Sequence, residues 1–264
     1  MVTAATNGTP NWVDLSTPDV DAGIDFYSRL LGWELETQTT EMGVYHVASV
    51  DGRDVCGMMA QAPEMTGAPP SWTVFITVDD IEETVRAVGE AGGRVLEPPF
   101  SIPGGARVSV VTDTAGAMFA LISGGPAPQG TWMSRRPGAV CWVETLSRDV
   151  AASKRFYESV FGWETATDED DHRYTTFMLE GEPIAGVLEM PSQVPDEAPS
   201  HWAVYFAVVD CERTTRLAED LGGSVLVETT PVEVGRFAVL ADPAGASFDI
   251  MDFAAALTPQ TTSV

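Results

Sequence analysis

Apolar and polar positions along this chain follow two periods, and the periods switch in a fixed order. Residues 11–16 alternate as a strand does. Val20, Ile24, Tyr27 and Leu31 then share one face of a helix. Thr17 or Asp19 is placed to cap its start and Gly32 to end it. "VYHVASV" and "DVCGMMAQ" read as strands around the turn "DGRD", and from Trp72 the order restarts. "WTVFITV" is a strand, and "DIEETVRAVGEAGG" is a helix that gathers Ile81, Val85 and Val88. "ARVSVVTD" and "AMFALIS" are strands around "TAG". The unit is strand–helix–three strands. One helix covers one face of a mostly antiparallel sheet and leaves the other free, so two units curled together form a cup.

The order is repeated. "NWVDLSTPDVDAGIDFYSRLLGWE" from Asn11 returns as "CWVETLSRDVAASKRFYESVFGWE" from Cys141, at an offset of 130. Ser71-Trp72 matches His201-Trp202, and Gly92-Gly93 matches Gly222-Gly223. After a one-residue deletion the register is 129. Arg107 then matches Arg236, and "DTAGA" from Asp113 matches "DPAGA" from Asp242. The expected organisation is a tail over 1–9, a domain over 10–123, a linker over 124–138, a domain over 139–253 and a tail over 254–264. The linker contains the Pro/Gly-rich "GGPAPQGTWMSRRPG".

Composition narrows the partners. With 39 acidic and 14 basic residues the formal net charge is −25. That disfavours nucleic acid and anionic membrane, and it favours cationic small molecules. The basic side chains are 13 arginines and one lysine, which reads as coding bias in a GC-rich genome. Three cysteines without CxxC spacing read as reduced, buried thiols of a cytoplasmic protein. No basic-then-apolar leader and no apolar run of 18 residues is seen, so neither standard export nor a membrane span is expected. P-loop, GxGxxG, HExxH and GxSxG motifs are missing.

The stretches "TPDVDAGIDFYSRLLGWE", "SRDVAASKRFYESVFGWE", "VDDIEETVRAVGEAGGRV", "DTAGAMFAL" and "DPAGASFDI" carry a resemblance. The chain resembles the glyoxalase/bleomycin resistance/vicinal oxygen chelate superfamily over about Asn11 to Phe253. In particular it looks like the two-domain actinomycete glyoxalase-like proteins of the "hydroxylase" type. The resemblance implies an α+β fold. Two domains, each of paired βαβββ units, would form a rolled, mixed, mostly antiparallel sheet with a ligand cup. The superfamily includes isomerases, extradiol dioxygenases, thiol transferases and metal-free drug-binding proteins, so fold leaves activity open. Metal-using members place their ligands at fixed sheet positions. Here those positions fall on Trp12, Met59 or Ala60, Thr73 and Ala120, and on Trp142, Leu188 or Glu189, Ala203 and Asp249. Indole and methyl side chains cannot ligate a divalent cation, so neither a metal nor another cofactor is expected.

Strand alternation then assigns the cups. Trp12, Asp14, Thr73, Phe75 and Met118 line the first, with Met58 and Met59 as a soft wall. Trp142, Glu144, His201, Tyr205, Asp249 and Met251 line the second. Trp12 and Trp142 offer flat apolar floors for an aromatic ligand, or else merely plug the cups. Trp33, Trp163, Trp72 and Trp202 are expected in the core. Arg107 and Arg236 are candidates to hold an anionic ligand group, with a structural ion pair as the alternative. Glu144, His201, Tyr205 and Asp249 are the candidate catalytic set for acid–base work, or could hold an unorthodox metal, against a plain polar patch on a cavity rim. His46 and His172 have no evident partner.

Three functions are compatible with these residues. One is metal-free binding of an apolar aromatic, cationic or polyketide-like molecule in secondary metabolism or self-resistance. The second is an accessory hydroxylase, lyase or isomerase working in the second cup. The third is a module that assists a pathway enzyme. Fused halves make a monomer reasonable, and a homodimer stays open.

Overall fold

The computed structural model describes residues 6–63, 67–125, 132–167, 174–192, 194 and 198–254. Within the first half run β1 (Pro10–Thr17), α1 (Val20–Leu31), β2 (Glu34–Thr40), β3 (Gly43–Val50), β4 (Arg53–Ala60), β5 (Ser71–Thr77), α2 (Ile81–Glu90), β6 (Arg94–Ser101), β7 (Arg107–Thr112) and β8 (Met118–Ser123). The second half repeats them as β9 (Val140–Ser147), α3 (Val150–Phe161), β10 (Glu164–Thr167), β11 (Tyr174–Leu179), β12 (Glu182–Glu189), β13 (His201–Ala207), α4 (Cys211–Asp220), β14 (Ser224–Val232), β15 (Gly235–Ala241) and β16 (Ser247–Phe253). His172, residues 126–131 of the expected linker, and the tail segments 1–5 and 255–264 lie outside the described residues.

Each half is one eight-stranded sheet, in the orders β2-β3-β4-β1-β5-β8-β7-β6 and β10-β11-β12-β9-β13-β16-β15-β14. The sheets are mixed. β1 runs parallel to β4, and β5 parallel to β8, while β1 and β5 meet antiparallel at the centre. The two halves of a cup therefore join along β1 and β5, whose inward residues occupy its floor.

Local chemistry sets the helix limits. Asp19 accepts from the Ala22 N–H at 3.0 Å, and Asp149 accepts from that of Ala152 at 2.9 Å. These side chains satisfy donors that a helix start leaves unpaired. Gly32 (φ 74°) and Gly162 (φ 70°) end the same helices in the left-handed conformation.

The helix-facing sides of both sheets contribute to one continuous apolar core. Phe248 of β16 reaches Tyr27 of α1 with ring centroids 5.2 Å apart, and Phe119 of β8 reaches Tyr157 of α3 at 5.9 Å. Each half thus inserts an aromatic ring from its last strand against the first helix of the other. Trp33, Trp72, Trp163 and Trp202 lie in this core. Trp33 donates to the Gly138 carbonyl at 2.7 Å, and Trp163 to that of Gly8 at 2.8 Å.

The turns between the last two strands of each half add polar links. Asp113 Oδ1 accepts from the N–H groups of Ala115 and Ala117, while its Oδ2 accepts from Ser153 Oγ at 3.0 Å. Asp242 caps its own turn through Ala244 and Ala246, and its Oδ2 accepts from the Tyr27 hydroxyl at 3.3 Å. The repeated "DTAGA" and "DPAGA" stretches are therefore turn caps that also tie the halves together. The repeated glycine pairs belong to the same contact. A methyl at Gly93 would meet Phe156 at 2.8 Å, and one at Gly223 would meet Phe26 at 3.1 Å.

Cys56, Cys141 and Cys211 are free, buried thiols. Burial pushes Cys141 up to about 12 and Cys211 up to about 11. Among the described residues no helix is long and apolar enough to cross a membrane.

Candidate functional site

The faces opposite the shared core form two separate cups, each with its own apolar lining. Trp12, Phe75, Val108 and Ala120 are buried together in the first, flanked by Val47, Ile102 and Ile122. Cys141, Ala203, Tyr205 and Ala207 are buried in the second, with Trp142, Leu146, Phe237, Met251 and Phe253 beside them.

A polar cluster is set into each floor. In the first cup the Trp12 indole N–H donates to Asp14 Oδ1 at 2.8 Å and to the Tyr45 hydroxyl at 3.0 Å. That hydroxyl donates to Asp14 Oδ1 at 2.7 Å. In the second cup Trp142 donates to the Tyr174 hydroxyl at 2.7 Å, and the Tyr205 hydroxyl donates to Glu144 Oε1 at 2.7 Å. Tyr174 and Trp142 lie close enough to Glu144 to favour its charged form. The arrangement needs a glycine on the adjoining strand. Gly57 pairs with Asp14, and Gly186 with Glu144. A methyl group at either glycine would overlap the neighbouring tyrosine hydroxyl. Glycine leaves the space over the sheet in which the tyrosine lies down to reach the acid.

Tyr45, Tyr174, Gly57 and Gly186 were absent from the sequence-derived lining. A signal for them existed, because Tyr45 recurs as Tyr174 and Gly57 as Gly186, each 129 residues on.

Burial dominates the electrostatics. It raises Asp14 to about 6 against hydrogen bonds from Tyr45, Trp12 and Gly57 that lower it. Glu144 is raised by burial, opposed by Tyr205, Tyr174 and Trp142. Asp249 is raised well above the carboxylate range by burial and then by the charge of Glu144. Tyr45, Tyr174 and Tyr205 are pushed up by burial and the adjacent carboxylates, so all three remain hydrogen-bond donors at neutral pH.

Register places the other candidates. Thr73 stands opposite Asp14, Phe75 beside Trp12 and Ala120, and Met118 opposite Thr112, on the inward face of the first sheet. Asp249 pairs with Tyr205, and Met251 with Ala207 and Phe237, on that of the second. Four residues depart from the expected roles. Met58 pairs with Leu15 and His46 and is buried in the helix-side core, because alternation gives the cup its neighbours Gly57 and Met59 instead. Arg107 is bonded to Glu82 of α2. Arg236 is bonded to Asp252 at 2.7 Å and to Glu212 of α4 at 3.4 Å. Both arginines face the helices, since it is Val108 and Phe237, one residue on, that join the cup clusters. Neither is placed to hold a ligand in a cup. His201 is at the rim beside Leu146, with Nδ1 3.1 Å from the Pro199 carbonyl, so it does not join the acid cluster. His46, away from the cup, has Thr37 Oγ1 at 3.0 Å from its Nδ1.

Comparison with known proteins identifies the scaffold. The family model described as "Glyoxalase/Bleomycin resistance protein/Dioxygenase superfamily" matches residues 9–121, and one described as "Glyoxalase-like domain" matches 142–251. CFP32 of Mycobacterium tuberculosis, whose name assigns it provisionally to the glyoxylases, is 36% identical over 252 residues, covering 92% of this chain and 94% of its own. The chain belongs to the glyoxalase/bleomycin resistance/dioxygenase superfamily. Another relative is the anthracycline biosynthesis protein DnrV of Streptomyces peucetius. It is 34% identical over 259 residues, 93% of each chain. A Mn(II)-bound glyoxalase from Novosphingobium aromaticivorans has the same fold, with a TM-score of 0.63 at 15% identity over 93% of this chain and 82% of its own.

That glyoxalase binds Mn(II); here Trp12, Ala120, Trp142 and Ala203 do not fit such an ion. Among the described residues no three His, Cys, Asp or Glu side chains are grouped to share a metal. The Trp12 and Trp142 indole nitrogens are donors already engaged with Asp14, Tyr45 and Tyr174. Donor-only groups and the Ala120 and Ala203 methyls supply no lone pair to a cation.

Proposed function

We propose that this protein binds an apolar aromatic small molecule, polyketide-like in chemistry, without a metal, in secondary metabolism or self-resistance. The observation that carries the reading is the pair of indole-floored cups, each with its acid–tyrosine cluster embedded in apolar walls. Such a lining suits a planar molecule with a few polar substituents: flat apolar surface for stacking, and fixed hydrogen-bonding groups for orientation. Similarity to the anthracycline biosynthesis proteins DnrV and DauV supports a place in natural-product chemistry. The Trp12, Ala120, Trp142 and Ala203 side chains, which bring no lone pair to a cation, support metal independence.

Tryptophan fluorescence titration against polycyclic aromatic compounds tests this. Dissociation constants below about 100 μM, or roughly −5.5 kcal/mol, are expected for some members, unchanged after dialysis against chelator. Binding by none of them, or binding lost with a chelated ion, refutes the reading.

A second reading has its own observation. Glu144 and Asp249 form a buried acid pair in the second cup, where the first has Asp14 and Ala120. Two acids with raised proton affinities suit general acid–base work on a bound ligand. Turnover of a pathway compound that falls by about 100-fold or more in Asp249→Asn, with binding retained, would establish it.

A further inference from the structure

The two cups are built on one plan and differ at a few inward positions. Where the first has Asp14, Phe75 and Ala120, the second has Glu144, Tyr205 and Asp249. We propose that the second cup, and not the first, takes a protonated amine on its ligand, held between Glu144 and Asp249 against the Trp142 indole. This rests on the aromatic-binding reading and specifies the ligand's charge.

The sheet does not require an acid at Asp249. The alanine at the matching place in the first half, Ala120, fills the same sheet position with no polar atom. Asp249 is only 4% exposed, faces the cup beside Tyr205, and has no hydrogen-bond donor among the described residues. Glu144 is equally buried at 4% and already accepts from Tyr205. A buried carboxyl group without a partner costs stability unless something supplies one.

Among the described residues none supplies a cation to this pair. The groups that face it are Cys141 and Glu144 from β9, Tyr205 from β13, Tyr174 from β11, and the uncharged Gly186, Phe237 and Val239 from β12 and β15. Arg236 is on the other face with Asp252 and Glu212, and Arg135, over the Phe253 ring at 4.5 Å at the edge of the cup, bears on Cys141 and on neither acid. An ammonium group brings the missing charge and donors for both acids. The half-buried Trp142 adds a π face that attracts a cation. The first cup has a single acid whose neighbours Trp12 and Tyr45 already donate to it.

The test uses two probes of the same shape, 9-(aminomethyl)anthracene, protonated at pH 7.5, and 9-anthracenemethanol. Affinities are read by calorimetry for the full chain and for Asp249→Asn and Asp249→Ala. The amine is expected to bind wild type roughly tenfold more tightly than the alcohol, a difference of about 1.4 kcal/mol. Either variant should reduce that ratio below about threefold. Equal affinities in wild type, or a preference that survives in Asp249→Asn, overturns the proposal. A protein that binds neutral polycyclic aromatics but neither probe overturns it as well and leaves the aromatic-binding reading standing. A protein that binds no aromatic compound overturns both.

Discussion

Replacing Asp14 by asparagine should stabilise this protein at neutral pH and not at acidic pH. The Asp14 carboxyl is 7% exposed, and burial lifts it from 3.8 to about 6. The folded state therefore binds more protons than the unfolded state between those values, and stability falls as pH rises through that window. Above about pH 6 the charged form is fully opposed by burial. Two units correspond to about 3 kcal/mol. Asparagine keeps one oxygen to accept from Trp12 and Tyr45, the bonds now made to Oδ1 at 2.8 and 2.7 Å. Its amide cannot accept the Gly57 backbone bond that also steadies Asp14, a loss of about 1 kcal/mol. The net gain above pH 6 is about 2 kcal/mol, or about 4 °C in a chain of this size. Thermal unfolding followed by circular dichroism at pH 7.5, 5.5 and 3.5 gives the test. The variant should melt higher at 7.5, by less at 5.5, and at or below wild type at 3.5. A difference independent of pH, or a variant that melts lower at pH 7.5, would refute the argument that burial governs Asp14.

Two further substitutions probe the frame. Gly186→Ala should lift Tyr174 off Glu144, because the added methyl overlaps the tyrosine hydroxyl and meets Glu144 Cβ at 3.1 Å. About 1–3 kcal/mol of stability should be lost in urea titration, along with part of the near-ultraviolet aromatic signal; an unchanged midpoint would show that the cluster is not rigid. Asp113→Ala strips acceptors from Ser153 and from the turn N–H groups of Ala115 and Ala117. It should lower stability by about 2–4 kcal/mol while both halves still unfold in one transition, and a second transition would contradict the shared core.

The repeat made the element order legible, and the reason is physical. Central strands such as β1 and β5 face a core on one side and a cup on the other, so their alternation is strong. The edge strands carried almost no pattern. β6 (RVLEPPFS) is exposed along nearly all of its length and β2 (ELETQTT) along most of it, so no buried face imposes a period. They were counted from the unit's architecture rather than seen. The cup lining was legible where a strand is regular, as for Asp14, Glu144 and Asp249. Met58 was misplaced because two adjacent methionines look alike in sequence, and only register decides which of them faces a helix. The arginines were ambiguous for a related reason. A guanidinium at a sheet edge reads the same whether its acid partner is a ligand or, as for Arg107, the glutamate of a neighbouring helix.

Tyr45 and Tyr174 show what single-strand reasoning leaves out. Each lies two strands from the acid it serves and crosses the sheet only because a glycine stands between. The functional unit is thus a row of side chains across β3, β4 and β1, or β11, β12 and β9, perpendicular to the chain. Periodicity along one strand cannot report such a row. Comparison of the two halves can, because a tyrosine and a glycine that recur together have been kept at a common spacing by the same geometry. The same comparison isolates Asp249, which has no counterpart acid at Ala120. One plan repeated twice therefore separates what the sheet needs, the glycine, tyrosine and indole, from what distinguishes the second cup, a buried acid with no partner of its own.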